Sequence, residues 1–175
     1  DAPFVDPWQQ MLAGHPMLQR DLLEFRYMLE GQAAFLAAQR ATDADIQRID
    51  AAYAALKEAY SHLDKQPSID ADVAFHQAIA EAAHNVLIGH LTASLLRVIH
   101  GHIARNIQYM HARPEPWERL QMQHQAIWEG VRAHRPEAAE QAAQEHIDFV
   151  RQCIAEIARE EERRHSALRR LGNPG

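Results

Sequence analysis

The stretch ADVAFHQAIAEAAHN, residues 71–85, decides both the fold class and the candidate site of this 175-residue chain. It is rich in alanine and contains neither glycine nor proline, so it predicts a helix, which we place at 69–84. Asp72 and His76 are four residues apart and therefore lie on one face of that helix, which continues through the apolar Ile79. Burying a carboxylate and an imidazole costs free energy unless both are paired. The stretch predicts a helix that carries polar groups into a protein interior.

Helix-forming residues also dominate the rest of the chain, and the interruptions mark helix ends. Thr42 followed by Asp45 resembles a capping box. The residues KQPS (65–68) interrupt the pattern, with Ser68 as the cap of the next helix. No segment has the alternating, β-branched pattern of a strand. We expect six helices, at about 17–40, 43–62, 69–84, 86–111, 114–133 and 136–167, and a further short helix near 7–13.

Short connections between these helices favour antiparallel neighbours. The sequence therefore predicts an all-α fold, an antiparallel helical bundle of about six to seven helices. Its length suits a single domain, which we place at 16–168. Residues 1–15 are expected to be a linker remnant with the short helix, and residues 169–175 a tail. Because the chain begins at Asp1 without a methionine, we expect it to be one piece of a longer protein.

The composition excludes several classes of function. Acidic residues outnumber basic ones by 24 to 18, so we do not expect this chain to bind the phosphate backbone of DNA. A single cysteine excludes a disulfide scaffold and fits the reducing cytoplasm. No apolar run approaches the roughly 18 residues of a membrane span, so no membrane partner is expected. Twelve histidines are several times the usual number and point to imidazole chemistry.

Two further histidines share helical faces with apolar residues, His124 with Leu120 and Ile127, and His146 with Phe149 and Val150. Together with the pair on the 69–84 helix, they direct three imidazoles and one carboxylate inward from three helices. Such a set can hold a divalent metal ion, zinc first, with nickel or manganese as alternatives. The alternative is that each histidine is a core residue bonded to a carbonyl or carboxylate, and that the aspartate is a cap or a salt-bridge partner.

Arg26 lies on the apolar stripe of the first helix, so its guanidinium is expected to enter the bundle, where it suits a carboxylate ligand. The alternatives are a salt bridge to Glu30 or Glu24, or an extended side chain that reaches the surface. Three residues of the 86–111 helix are weaker candidates to line a ligand cavity: His102, Arg105 and Asn106. The remaining histidines, His84 and His134 among them, are expected at the surface, in caps or in turns.

Three segments together carry a family resemblance. The 71–85 stretch resembles the D-x-x-x-H…N signature of the FCD domain, the C-terminal effector-binding domain of FadR-subfamily GntR transcription regulators. Residues 22–42, LLEFRYMLEGQAAFLAAQRAT, resemble the first helix of that domain with its E-x-R-x-x-x-E core. Residues 124–150 resemble its closing segment, which has two histidines. The resemblance covers about residues 17–165; His84 departs from the small residue that many members have before the asparagine.

The resemblance implies a bundle with a central cavity for a metal and a small carboxylate. The metal would be held by Asp72, His76, His124 and His146, and Arg26 would face the ligand. Within the family the lactate-responsive regulators are most similar, and the pyruvate- and glycolate-responsive ones are close. The resemblance further implies a homodimer and a preceding winged-helix domain through which the protein would bind operator DNA. The expected effector is a 2-hydroxy acid, L- or D-lactate first.

Function classes other than a sensor remain open at this point. A metal held by three imidazoles and a carboxylate could activate water, which would make the chain a helical metal-dependent hydrolase. Against this, the sequence shows no additional inward carboxylate placed as a general base. A plain dimerisation module is the third possibility. We therefore expect an effector sensor that is not an enzyme.

Overall fold

The computed structural model describes residues 18–62 and 65–171, with side chains described in the second range from residue 68 onward. The described residues form helices and short connections without a strand, which confirms the all-α prediction. The short helix expected near 7–13 lies outside the described residues. The six helices are α1 (Leu18–Arg40), α2 (Asp43–Ser61), α3 (Lys65–Ala82), α4 (Val86–His111), α5 (Pro114–Arg132) and α6 (Pro136–Leu171).

Two predicted helix ends were wrong. Helix α3 begins at Lys65 instead of residue 69. Pro67 is compatible with this start because it lies in the first turn, where backbone N–H groups make no intrahelical hydrogen bond. Ser68 is therefore not a cap; its hydroxyl donates to the carbonyl of Ala59 at 3.1 Å and ties α3 to α2. Helix α6 continues to Leu171, beyond the predicted end at 167 and into the expected tail, and its last turn carries arginines that suit a helix C-terminus.

The predicted capping box at the start of α2 is confirmed. The hydroxyl of Thr42 accepts from the backbone N–H of Asp45 at 3.2 Å, and the Asp45 carboxylate accepts from the backbone N–H of Thr42 at 2.9 Å. Nε2 of His84 lies 2.6 Å from the same carboxylate. Since His84 has a φ of 50°, it also makes the turn between α3 and α4, as the sequence indicated. Asp45 thus fixes this turn against the beginning of α2.

Two clusters of buried apolar side chains form the core. The larger draws mainly on α1, α2, α3, α5 and α6, and the smaller packs α4 against α1. Central members of the larger cluster are Ala34, Ile49, Phe75, Leu120 and Ala143. Central members of the smaller one are Leu22, Leu95, Leu96, Ile99 and Ile103. The polar residues of the candidate site lie between α1, α3, α5 and α6, so the larger cluster surrounds them.

Helix α4 departs from the expectation that no segment resembles a membrane span. Its length and a mean hydropathy of 1.2 over an 18-residue window suffice for one, although only 28% of that window is buried. A core helix of a bundle meets the same criterion. The smaller cluster contains buried residues of α4, among them Leu95, Leu96 and Ile99. The apolar character of α4 therefore contributes to the core of the bundle.

Helices α5 and α6 are in close backbone contact at Gly130. A Cβ atom there would lie 2.8 Å from the Cα of Ala139 and 2.9 Å from its backbone nitrogen. Only glycine therefore allows this backbone contact. The contact sets the spacing of the two helices that carry His124 and His146.

We expect Gly130→Ala to lower the free energy of unfolding by about 1–3 kcal/mol, because the new methyl group forces α5 and α6 apart. Gly101→Ala is the matched control, since a Cβ at Gly101 meets no atom within 4 Å in the described part of the chain. Alanine in a helix interior should stabilise by about 0.5–1 kcal/mol there. Urea unfolding followed by circular dichroism measures both variants, and equal stability of Gly130→Ala and the unaltered chain would contradict the close contact.

Candidate metal and effector site

Three imidazoles converge at the centre of the bundle. His76 of α3, His124 of α5 and His146 of α6 each place a ring nitrogen within 4.8 Å of the others, and all three are buried. Asp72, one turn before His76, has one carboxylate oxygen 3.6 Å from Nε2 of His76 and the other 3.3 Å from Nε2 of His124. The structure thus brings together the four side chains that the sequence directed inward. Their binding of a metal stays a prediction.

Neighbouring side chains orient two of the imidazoles. Nδ1 of His146 lies 2.9 Å from the side-chain oxygen of Gln123, and Nδ1 of His76 lies 3.1 Å from Oε1 of Glu30. If each Nδ1 carries the proton, each Nε2 keeps its lone pair. This is the common arrangement of metal-binding histidines, whose other ring nitrogen donates to an oxygen.

Several buried nitrogens of the site have no hydrogen-bond partner among the described residues. They are Nε2 of His76 and both ring nitrogens of His124; the Asp72 oxygens lie 3.6 Å and 3.3 Å from the two Nε2 atoms but do not meet hydrogen-bond geometry. Buried polar atoms in proteins are nearly always paired, and an unpaired one costs about 1–3 kcal/mol. A divalent cation would satisfy such lone pairs, and imidazole nitrogen with carboxylate oxygen is a donor set that zinc and related ions accept. The residues present therefore fit a metal ion.

Burial also keeps two of the imidazoles neutral, as a metal ligand must be. It lowers the pKa of His124 to about 4, although the charge of Asp72 opposes this. Burial and the positive charges of neighbouring side chains lower the pKa of His146 well below its ordinary value. Burial lowers the pKa of His76 as well, but the hydrogen bond and charge of Glu30 outweigh it, so this pKa is raised. A metal at Nε2 of His76 would compete with that proton.

The guanidinium of Arg26 is buried, as the apolar stripe of α1 predicted, and it pairs with Glu30. Its Nε lies 2.6 Å from Oε2 of Glu30, and both side chains are about 5% exposed. This is the salt bridge that the sequence left open as an alternative. Burial raises the pKa of Glu30, but the charges and hydrogen bonds of Arg26 and His76 outweigh it and lower that pKa to about 2. Glu30 is therefore a carboxylate anion inside the bundle.

Glu30 is a further inward carboxylate, which the sequence analysis named only as a possible salt-bridge partner of Arg26. The sequence indicated this inward position, because Glu30 follows Arg26 by four residues and so lies on the same face of α1. Tyr60, in contrast, is a residue that the sequence analysis missed. Its hydroxyl donates to Oδ2 of Asp72 at 2.8 Å, and burial together with the charge of Asp72 raises its pKa well above the ordinary value. Tyr60 continues the buried α2 stripe of Ile49, Tyr53 and Leu56, which could have indicated an inward phenol.

The three weaker ligand candidates line a cavity other than the imidazole site. His102, Arg105 and Asn106 border a space of about 100 Å³ between α4 and α6. The Arg105 side chain is 61% exposed and pairs with Glu161, so it lies at the rim, where a long charged side chain stays hydrated. Asn106 is buried and His102 half-buried, and burial with the charges of Arg105 and Arg26 lowers the pKa of His102. Their contact with a ligand stays a prediction.

A separate, very small cavity adjoins the imidazoles. Its volume is about 10 Å³, enough for one water molecule at most. Its polar lining consists of Glu30, His76, His146 and Thr92. The Thr92 hydroxyl is buried and has no hydrogen-bond partner in the part of the chain that the structure describes. This cavity therefore presents unpaired polar atoms and lies next to the buried ion pair of α1.

Comparison with known proteins finds similar sequences among transcription regulators. The sequence model of the FCD domain matches residues 21–149. The chain is 32% identical, over 96% of its length, to the "Putative L-lactate dehydrogenase operon regulatory protein" of Escherichia coli K12. It is 30% identical over 87% to the Glc operon transcriptional activator of the same strain, and 34% identical over 78% to the HTH-type transcriptional regulator LutR of Bacillus subtilis. It spans 61–63% of the length of these relatives.

Solved structures give the same result for the fold. A Streptococcus agalactiae GntR protein superposes with a TM-score of 0.66 at 26% identity, over 85% of this chain and 66% of that one. Escherichia coli McbR/YncC superposes with a TM-score of 0.65 over 84% of this chain and 67% of that one. Its identity is 17%, so this second likeness supports the fold alone.

We expect Tyr60→Phe to weaken zinc binding about 10- to 100-fold, because it removes the hydrogen bond that orients Asp72. Tyr53→Phe is the matched control: it removes a hydroxyl from the same helix, and Tyr53 is also buried but makes no contact with Asp72 among the interactions described above. Competition with a chromophoric chelator measures both affinities. Equal affinities of the two variants would mean that Asp72 needs no support from Tyr60 or is not a ligand.

Proposed function

The chain belongs to the FCD-domain family, as the effector-binding domain of a GntR-family transcription regulator, and from this premise we propose that it senses a small 2-hydroxy carboxylate at a metal centre. Lactate, as the L or the D isomer, is the first candidate, and glycolate or pyruvate is the alternative. The observation that carries the proposal is the convergence of three buried imidazoles, with unpaired ring nitrogens, beside a buried arginine.

We propose that the metal ligands are Asp72, His76, His124 and His146, and that the ion is zinc, with nickel or manganese as alternatives. Three nitrogens and one oxygen from three helices form a donor set that these ions accept. When bound, the ion would supply a Lewis-acidic centre for the oxygens of a hydroxy acid. The side chains of the chain itself would orient that acid and exclude water from it.

The buried guanidinium of Arg26 supports a carboxylate as the ligand class, because its planar donors match two carboxylate oxygens. The names of two relatives refer to an L-lactate dehydrogenase operon and to the Glc operon, which supports a small hydroxy acid as the effector class. His102 and Asn106 would take part if the ligand, or a movement of α4, connected the two cavities.

We propose that effector binding shifts the bundle between two arrangements and so alters an attached winged-helix domain that binds operator DNA. The chain spans under two thirds of its curated relatives, which leaves room for such a domain in the full protein. A formal charge of −6 supports placing DNA contact outside this chain. A coupling free energy of about 1–3 kcal/mol would suffice. The homodimer and the cytoplasmic location stay predictions within this proposal.

A regulatory role is favoured over the hydrolase considered above. The named relatives are transcription regulators, and the chain is accordingly not an enzyme. Glu30, although buried beside His76, is held by Arg26 and carries the low pKa of a strongly paired carboxylate. A carboxylate of low pKa is a weak proton acceptor, so it is poorly suited to general base catalysis near neutral pH.

We expect one equivalent of zinc to bind the purified domain and to raise its free energy of unfolding by about 2.7 kcal/mol at a hundredfold excess over Kd. His124→Ala should lose this binding, because His124 lies against Asp72 and against both other imidazoles. His90→Ala is the control, since His90 is exposed on α4. Elemental analysis and thermal unfolding with and without chelator measure both; equal zinc content in the two variants would refute the metal site.

Isothermal titration of the zinc-loaded domain with lactate, glycolate and pyruvate tests the effector. We expect a saturable heat with lactate. In Arg26→Lys the lactate affinity should fall tenfold or more, because lysine lacks the planar guanidinium whose hydrogen bonds to a carboxylate are worth about 1.5–3 kcal/mol. Arg97→Lys, on the exposed surface of α4, should bind like the unaltered domain. The absence of heat with all three acids would overturn the proposed effector class.

A further inference from the structure

Glu30 lies between the buried arginine and the imidazole cluster, where an effector carboxylate would have to bind. We propose that Glu30 is a built-in competitor of the effector: its carboxylate holds Arg26 in the effector-free domain, and the effector carboxylate takes its place. This inference rests on the proposed function, since it assumes that an acid binds at Arg26 and the metal centre.

The contacts of Glu30 reach both parts of the proposed site at once. Its Oε2 lies 2.6 Å from Nε of Arg26, and its Oε1 lies 3.4 Å from a terminal nitrogen of the same guanidinium. The same Oε1 lies 3.1 Å from Nδ1 of His76. A single side-chain carboxylate therefore bridges the arginine and one of the imidazoles proposed to hold the metal.

The volume of the site requires something to move before an acid binds. The cavity beside the imidazoles measures about 10 Å³, whereas a three-carbon acid needs the space of several water molecules. Glu30 is part of the lining of this cavity and Arg26 is not, so the glutamate separates the guanidinium from it. Rotation of the Glu30 side chain away from Arg26 both enlarges the cavity and exposes the guanidinium.

Charge explains why the replacement has to be a carboxylate. Separating Arg26 from Glu30 without a substitute would leave a buried guanidinium unpaired, which is strongly unfavourable. An effector carboxylate restores the pairing of the guanidinium. A neutral isostere such as lactamide cannot make this exchange. The competitor therefore selects for anions, and the apparent affinity equals the intrinsic affinity multiplied by the fraction of domains in which Arg26 is free.

Glu30→Gln tests the competitor, because it removes the charge and keeps the size and an oxygen acceptor for His76. We expect the zinc-loaded variant to bind lactate about 10- to 100-fold more tightly than the unaltered domain. This factor follows if the form with Arg26 free of Glu30 is populated at about 1–10% in the unaltered domain and predominates in the variant. Glu24→Gln, which removes an exposed acid from the same helix, should leave the affinity unchanged. Lactamide should bind none of the three proteins.

Unchanged or weaker lactate binding in Glu30→Gln, at equal zinc content and with a folded circular dichroism spectrum, would overturn the inference and leave the proposed function intact. In that case Glu30 would orient Arg26 instead of competing for it. Absence of binding by every acid to both proteins would overturn the proposed effector class and the competitor with it. The two failures are thus distinguishable.

A crystal structure of the unaltered, zinc-loaded domain with lactate keeps the inference falsifiable if Glu30→Gln loses its fold or its metal. We expect the Arg26–Glu30 contact of 2.6 Å to open beyond hydrogen-bonding distance and the lactate carboxylate to bind the guanidinium. An intact Arg26–Glu30 contact in a lactate-bound site would overturn the inference.

Discussion

The burial of charged and titratable side chains at the centre of a helical bundle is the constraint to which the rest of this structure is fitted. Arg26 and Glu30 would be strongly unfavourable there if either were alone, so the two occupy one face of α1 and pair. Glu30 then reaches His76, and Asp72 reaches both His124 and the hydroxyl of Tyr60. Helices α1, α2, α3 and α5 are thereby linked through polar contacts as well as through the apolar core.

The remaining parts of the fold hold this centre in place. The close contact at Gly130 fixes α5 against α6, and with them two of the three imidazoles. The Asp45 carboxylate fixes the turn after α3, the helix that carries the third. A metal ion would satisfy the ring nitrogens that have no hydrogen-bond partner among the described residues. The same requirement for pairing applies to the proposed effector carboxylate, because the guanidinium that suits it is already paired with Glu30 inside the protein.

Helical periodicity explains how much of this the sequence could reveal. The inward direction of His76, His124 and His146 follows from their spacing relative to apolar neighbours, and so does the burial of Arg26. Periodicity does not identify partners across helices, which is why neither the contact of Tyr60 with Asp72 nor the pairing of Arg105 with Glu161 was predicted. The start of α3 was misplaced because a proline in a first turn is compatible with either boundary.

The small size of the imidazole cavity also has a consequence for the speed of response. A site with room for about one water molecule admits a ligand only during an opening of the bundle, so entry is slower than diffusional encounter. Release needs the same opening, and motions of this kind occur on timescales of about microseconds to seconds. A domain of this construction would average over brief fluctuations in effector concentration and report its sustained level.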